Sequence, residues 1–414
     1  MKASRKVKLL LAALLLVMVA GASPSPAELL PENPTEGSRL FVVKGCLRCH
    51  AIQGEGGRSG PDLGKLQLNY SFLGMAGVMW YHAPKMLKEF QRLGVPRPRF
   101  QREEMRRLVS FLYYLNYFDR KGDPEVGERL FGERGCRGCH SVGGKGGSLG
   151  PALDKYRPFI SPVFITAAMW NRGKEMEEAM RREGVKRPAF RGHEILDLVA
   201  YIRAKSTFED VRKRVYLPPG NALEGRRLFE EKGCSRCHAV NGEGGDVGPD
   251  LGTRALRRSV STIAGILWNH GRAMWRAMER LEIERPRLEP QELSDIITYL
   301  YFIQYADPPG DPARGERLFQ EKGCGKCHPI KGKGKTKDKV GPNLALVEKW
   351  ESSLDIVTEM WNHAAEMEEK TWEKGVLWPK LKEDELAHIL EYVKFLQKRY
   401  QPLGAKGQGP REGR

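Results

Sequence analysis

The chain has 414 residues, enough for two to four domains at roughly 100–200 residues each. With 40% hydrophobic and 29% charged residues its composition is globular, which excludes a disordered chain. A net charge of +17 predicts acidic partners held by salt-sensitive attraction; nucleic acid is not expected as a partner, because the chain opens with an export signal.

That signal is the first predicted element. Lys2, Arg5, Lys6 and Lys8 precede an apolar run over residues 9–20, and Ser23, Pro24, Ser25 and Pro26 follow. A basic start, a short apolar stretch and a small-residue exit predict a signal peptide over 1–27. The run falls short of the about 20 residues that a membrane span needs. The expected location is therefore the periplasm or the cell exterior, the alternative being an uncleaved anchor that leaves the protein facing the periplasm. No later segment is long and apolar enough to span.

Four similar units follow, over 34–119, 120–216, 217–306 and 307–402, and a Gly-rich, charged tail over 403–414 is expected to be disordered. Each unit opens with Gly-x-x-Leu-Phe, beginning at Gly37, Gly127, Gly225 and Gly315. Next comes a C-x-x-C-H: Cys46, Cys49 and His50; Cys136, Cys139 and His140; Cys234, Cys237 and His238; Cys324, Cys327 and His328. The first Cys recurs after 90, 98 and 90 residues, and these pairs use all eight Cys. Gly-Pro-x-Leu follows, with Pro61, Pro151, Pro249 and Pro342. Then comes a Trp with a Met six residues on: Trp80 and Met86, Trp170 and Met176, Trp268 and Met274, Trp361 and Met367. A turn at Pro98, Pro188, Pro286 or Pro379 leads into a closing stretch whose apolar residues, such as Leu108, Phe111, Leu112 and Leu115, recur at three and four. That spacing is an amphipathic helix with one face on a core. The pattern is helix, loop, helix, turn, helix in every unit, so the fold class expected is all-α. Short Pro/Gly-marked linkers favour units held near one another.

C-x-x-C-H reads as c-type haem attachment. The two thiols form thioethers to the two vinyl groups, and the adjacent imidazole is the proximal iron ligand. A thioredoxin-like pair, a zinc site or a disulfide framework would each leave the His, present four times out of four, unexplained. The expected cofactor is therefore four covalent haems c, bound through the eight Cys, with His50, His140, His238 and His328 on the iron.

With the haems assigned, each unit resembles a monohaem class I cytochrome c over about residues 34–400. The resemblance implies that the first and last helices cross through the Gly and aromatics, here Gly37, Phe41 and Tyr113 in the first unit, with Tyr201, Tyr299 and Tyr392 in the others. It also implies that the carbonyls of Pro61, Pro151, Pro249 and Pro342 accept from the proximal imidazoles, which orients them and raises their basicity.

Two slots compete for the sixth iron position. His82, His270 and His363 occupy one, but the second unit carries Arg172 there. Met86, Met176, Met274 and Met367 occupy the other, four residues on and on the same helix face. Met is expected, being present in every unit and implied by the resemblance; His is the alternative. Met79, Met169 and Met360, and the four Trp, are read as packing residues. So are His193 and His388, or as surface residues.

Iron capped on both sides has no vacant position for substrate, so the expected function is electron transfer between a redox donor and acceptor, with no catalytic residues assigned. The alternatives are a peroxidase or small-oxide reductase with an open haem in the second unit, near Arg172, Arg181 and Arg182, and a haem subunit or conduit of a respiratory complex. Membrane association is expected only through the N-terminal segment or a membrane partner. Lys331, Lys333, Lys335, Lys337 and Lys339 form either a docking patch for an acidic partner or a solvated insertion.

Overall fold

The computed structural model describes residues 34–66, 70–117, 121–155, 161–208, 220–252, 259–330, 340–347, 350, 352–382 and 384–400. The leader, the tail and the five-lysine segment lie outside them. Helix dominates the described chain, whose strands are three two-residue antiparallel hairpins just after the first three haem motifs, such as Ala51–Ile52 with Glu55–Gly56. Among the described residues no helix is long and apolar enough to cross a membrane.

Each unit is built from an opening helix, a long middle helix and a closing helix. In the first they are α1 (Pro34–Val43), α2 (Phe72–Leu93) and α3 (Arg102–Tyr117). In the second they are α4 (Pro124–Glu133), a middle helix interrupted at Arg172 into α5 (Pro162–Asn171) and α6 (Gly173–Arg182), and α7 (Glu194–Ala204). The third has α8 (Ala222–Glu231), α9 (Val260–Arg280) and α10 (Pro290–Ile303). The fourth has α11 (Pro312–Glu321), α12 (Ser353–Glu373) and α13 (Glu385–Tyr400). Helix starts follow local chemistry. Asp123, Asn221 and Asp311 cap α4, α8 and α11 with their side chains, and Pro124 and Pro312 fill the first turn, where no N–H is needed.

Opening and closing helices cross tightly because a glycine stands at the contact. A Cβ on Gly37, Gly127, Gly225 or Gly315 would lie 2.0 Å from the carbonyl oxygen of Arg107, Asp197, Asp295 or His388. An aromatic pair locks each crossing, at 5.7 Å for Phe131 and Tyr201, 5.8 Å for Phe229 and Tyr299, and 5.9 Å for Phe319 and Tyr392. In the first unit the partner of Phe41 is Phe111, at 5.7 Å, and not the expected Tyr113. Tyr113 lies two residues further along α3, on another face, where it packs on Phe72 and Tyr305.

The units do not associate in chain order. α2 of the first packs on α12 of the fourth, and α5 of the second on α9 of the third. The four Trp join these pairs reciprocally. Trp80 Nε1 donates to Pro379 O and Trp361 Nε1 to Pro98 O; Trp170 Nε1 donates to Pro286 O and Trp268 Nε1 to Pro188 O. Beside them Asn362 clasps the backbone of Phe100, Asn269 that of Phe190, and Asn171 that of Leu288, each through two hydrogen bonds. The residue before each turn Pro stacks on a Trp, across the interface for Arg97 over Trp361, Arg187 over Trp268 and Trp378 on Trp80, and within the third unit for Arg285 over Trp275. These contacts are buried and directional, so each pair has a defined geometry.

The two pairs meet where α3 and α10 end. Tyr113, Tyr114, Tyr117, Tyr301, Phe302 and Tyr305 form one buried cluster between the first and third units. The Tyr301 hydroxyl donates to Tyr113 O (2.8 Å), and Tyr117 shares a hydrogen bond with Thr298 (3.1 Å).

Candidate functional site

Every C-x-x-C-H sits on a tight turn that opens at a left-handed glycine. The His N–H reaches back to the carbonyl of the first Cys at 2.9–3.0 Å, which closes the turn and brings the thiols and the imidazole together. All eight Cys are of intermediate exposure and none is joined to another in a disulfide. Burial pushes the first thiol of each pair, on Cys46, Cys136, Cys234 and Cys324, up to about 11. A thioredoxin-like nucleophile needs the opposite shift.

The proximal imidazoles are fixed from two sides. Nδ1 of His50, His140, His238 and His328 donates to Pro61 O (3.1 Å), Pro151 O (3.0 Å), Pro249 O (3.0 Å) and Pro342 O (3.1 Å). The hydrogen bond expected from the resemblance is present in all four units, and it leaves each Nε2 as the ring atom able to take a metal. The preceding glycine makes room for the ring: a Cβ on Gly60, Gly150, Gly248 or Gly341 would lie 2.4–2.6 Å from it. That requirement explains the Gly in Gly-Pro. Burial also lowers the pKa of His328, which favours the neutral, ligating form.

In the fourth unit these groups line a cavity of about 610 Å³, with Cys324, Cys327 and His328 on one side and Met367 from α12 also in the wall. Its apolar lining includes Phe319, Leu386, Ile389 and Val393. Its volume is within the range of cofactor sites, roughly 300–1,000 Å³. Two free thiols, an imidazole with Nε2 available and an apolar chamber fit a covalent haem. Where bound, the haem would be held by Cys324 and Cys327 and ligated by His328.

The two candidate distal slots differ in exposure, although in the fourth unit His363 lines the same cavity as Met367. Met86, Met176 and Met274 are half-buried against the main core, and Met367 packs against the apolar cluster around Trp80 and Ala364. His82, His270 and His363 are exposed, and each donates Nδ1 to the carbonyl one turn back: Val78 (2.8 Å), Ile266 (3.0 Å) and Glu359 (3.0 Å). Arg172 is exposed as well. Met79 and Met169 pack on the core as expected, and Met360 lines the fourth cavity.

Sequence reading found the haem motifs and missed what the other repeated residues do. The Trp and the turn Pro are donor and acceptor of hydrogen bonds between units, a role that nothing local in the repeat announces. His388 is buried, and its Nδ1 accepts from Asp311 N at 2.8 Å; Asp197 and Asp295 do the same for Asp123 N and Asn221 N. It is a packing residue as expected, with a structural counterpart in two other units.

No curated protein and no solved structure matches this chain. The family model for cytochrome c matches it four times, over residues 34–116, 124–206, 222–301 and 312–397. Those segments carry the same thiols, imidazoles and helix crossings, and they cover most of the chain. Covalent haem and haem-based electron transfer follow from that membership: the protein belongs to the cytochrome c family, with four cytochrome c domains in one chain.

Proposed function

We propose that the protein is an exported electron carrier with four covalent haems, each ligated by the proximal His and by Met86, Met176, Met274 or Met367. The observation that carries this reading is the half-buried Met in every unit, set against exposed His or Arg at the competing slot. A haem with His and Met on the iron exchanges single electrons, at a potential that the thioether raises. The chain's own work is to hold that arrangement still. The Pro carbonyls orient the imidazoles, the apolar walls exclude water, and the interlocked helices limit movement of the Met-bearing segments. Donor and acceptor are redox proteins, and the basic surface favours acidic ones. Export rests on the leader, and its removal can be read by N-terminal sequencing of the mature protein from a periplasmic fraction.

Carbon monoxide added to the fully reduced holoprotein, with a haem count on the same sample, tests this. Four haems and no carbon monoxide spectrum are expected, because every iron is capped. A spectral change worth one haem in four would overturn the all-Met assignment and favour a second reading, a small-oxide reductase or peroxidase site in the second unit. The interruption of its middle helix at Arg172, four residues before Met176, favours that reading. Met176→Ala and Arg172→Ala would then be the first variants to assay. Co-purification with a membrane complex would instead support a conduit.

A further inference from the structure

The wall of the fourth haem cavity contains two residues that are not from the fourth unit. Trp80 comes from α2 and Arg102 from the start of α3, both in the first unit, and both line the chamber that holds Cys324, His328 and Met367. We propose that the fourth haem site is a two-unit site, completed by Trp80 as an apolar wall and Arg102 as a cation, so that the first unit sets the redox poise of the fourth. This rests on the haem reading above and extends it from where the haems are to which units act together.

Several contacts hold both residues in place. Trp80 is buried, stacks on Trp378 with ring centroids 4.0 Å apart, donates Nε1 to Pro379 O at 3.1 Å, and accepts at its own carbonyl from Trp378 Nε1 at 3.0 Å. Pro379 also lines the cavity. Trp80 is thus fixed to the lip of the fourth chamber by three contacts, all to the fourth unit. Arg102 faces Glu359 of α12, with Nη2 3.8 Å from the carboxylate. Glu359 lies two turns before Met367 on the same helix, and its carbonyl takes the Nδ1 hydrogen of His363. Arg102 lies between two other cations of the first unit that face carboxylates of α12: Arg99 is 3.8 Å from Glu366, and Arg106 is 3.1 Å from Asp355. The Asp355 side chain is fully buried. The inner pair, Arg106 with the buried Asp355, anchors this side of the first unit to the helix that carries Met367, and the exposed Arg99–Glu366 pair adds little.

Two consequences follow from elementary electrostatics. A fixed cation in the wall of a poorly solvated chamber disfavours the more oxidised, more positive state of whatever the chamber holds. Removing Arg102 also strips Glu359 of its counter-charge, which acts in the same direction. Electron affinity at the fourth site therefore depends on residues of the first, and the two ends of the chain work as one redox pair.

The test is a potentiometric titration of the full-length holoprotein, read by haem absorption, for Arg102→Gln, Trp80→Phe and Trp80→Ala. A Cys324→Ser/Cys327→Ser double variant lacks the fourth thioethers, and the wave it loses identifies the fourth haem whatever its distal ligand. Arg102→Gln should shift the reduced-to-oxidised ratio of that wave toward oxidised at fixed poise, on the order of fivefold, and should shift it more than the first unit's wave. Trp80→Ala should loosen the fourth chamber and alter the fourth haem's spectrum and wave. Trp80→Phe keeps an aromatic wall without the indole N–H and should do so less. If Trp80→Ala does not fold, Arg102→Gln, which leaves the core intact, still decides the matter. Movement confined to the first unit's wave, or no movement, overturns the proposal. Uniformly low potentials in the unmodified protein would refute Met ligation while leaving the question of which wave moves fully readable.

Discussion

Asp307 stands where the third unit hands the chain to the fourth. Its Oδ1 accepts from Leu73 N at 2.8 Å, at the start of α2, so one carboxylate ties the third–fourth linker to the first unit. Its Oδ2 is sealed from solvent and makes no hydrogen bond of ordinary geometry, with the Ser71 and Ser353 hydroxyls near the carboxylate. Burial pushes its pKa from 3.8 up to about 6, against the opposing pull of the Leu73 N–H, the Ser71 and Ser353 side chains and the Lys394 charge. The folded protein therefore holds this proton more tightly than the unfolded chain does. Below about pH 4 the group is neutral in both states. From about pH 4 to 6 the unfolded chain ionises first, and stability falls as pH rises. Above about pH 6 the cost is complete. A shift of about two units at about 1.4 kcal/mol each gives about 3 kcal/mol. Asp307→Asn retains an oxygen for the Leu73 N–H and cannot ionise. It should be more stable than the native protein at pH 7.5 by up to about 3 kcal/mol, with the gap closing by pH 4. Denaturant unfolding of both holoproteins, followed by far-ultraviolet circular dichroism at pH 4, 5, 6 and 7.5, measures this. A variant less stable at pH 7.5, with a gap that stays constant on acidification, would mean that the charge is stabilising and would refute the reasoning.

Two further outcomes are expected. Gly225→Ala places a methyl 2.0 Å from Asp295 O at the α8–α10 crossing. It should cost about 1–3 kcal/mol or more, read as a lower thermal midpoint of the holoprotein, and an unshifted midpoint would mean that the crossing has slack. Asn269→Ala strands the Phe190 N–H and carbonyl at the interface between the second and third units. It should cost about 1–3 kcal/mol and speed amide exchange at Phe190, while exchange at Phe100 in the other pair stays unchanged.

Much of the site was legible in the chain. Cys46 to His50 lie within a single turn, and Gly60-Pro61 needs only a short loop to reach the ring. Such geometry depends on a few adjacent dihedrals, and fourfold repetition separated it from chance. The aromatic at the first crossing was not legible, because Phe111 and Tyr113 both fit an amphipathic helix and only the packed crossing angle selects Phe111. The preference for Met over His in the sixth position rested on presence in every unit, and the exposure of His82, His270 and His363 adds a physical argument that spacing alone does not contain.

The amino-acid order alone determined four all-α units and the four C-x-x-C-H turns with their His-to-Pro contacts, because these are set by contacts within one helical turn or one short loop. Which unit faces which was decided only in three dimensions. Trp80 meets Pro379 across 299 residues and Trp361 meets Pro98 across 263, while Trp170 meets Pro286 across 116. Each repeat carries the same Trp and the same Pro, so any unit could in principle clasp any other. The first–fourth pair carries a residue that breaks the repeat, Trp378 in place of Arg, stacked on Trp80, and the tyrosines ending α3 and α10 then join the two pairs; this complementarity exists only once the surfaces are formed.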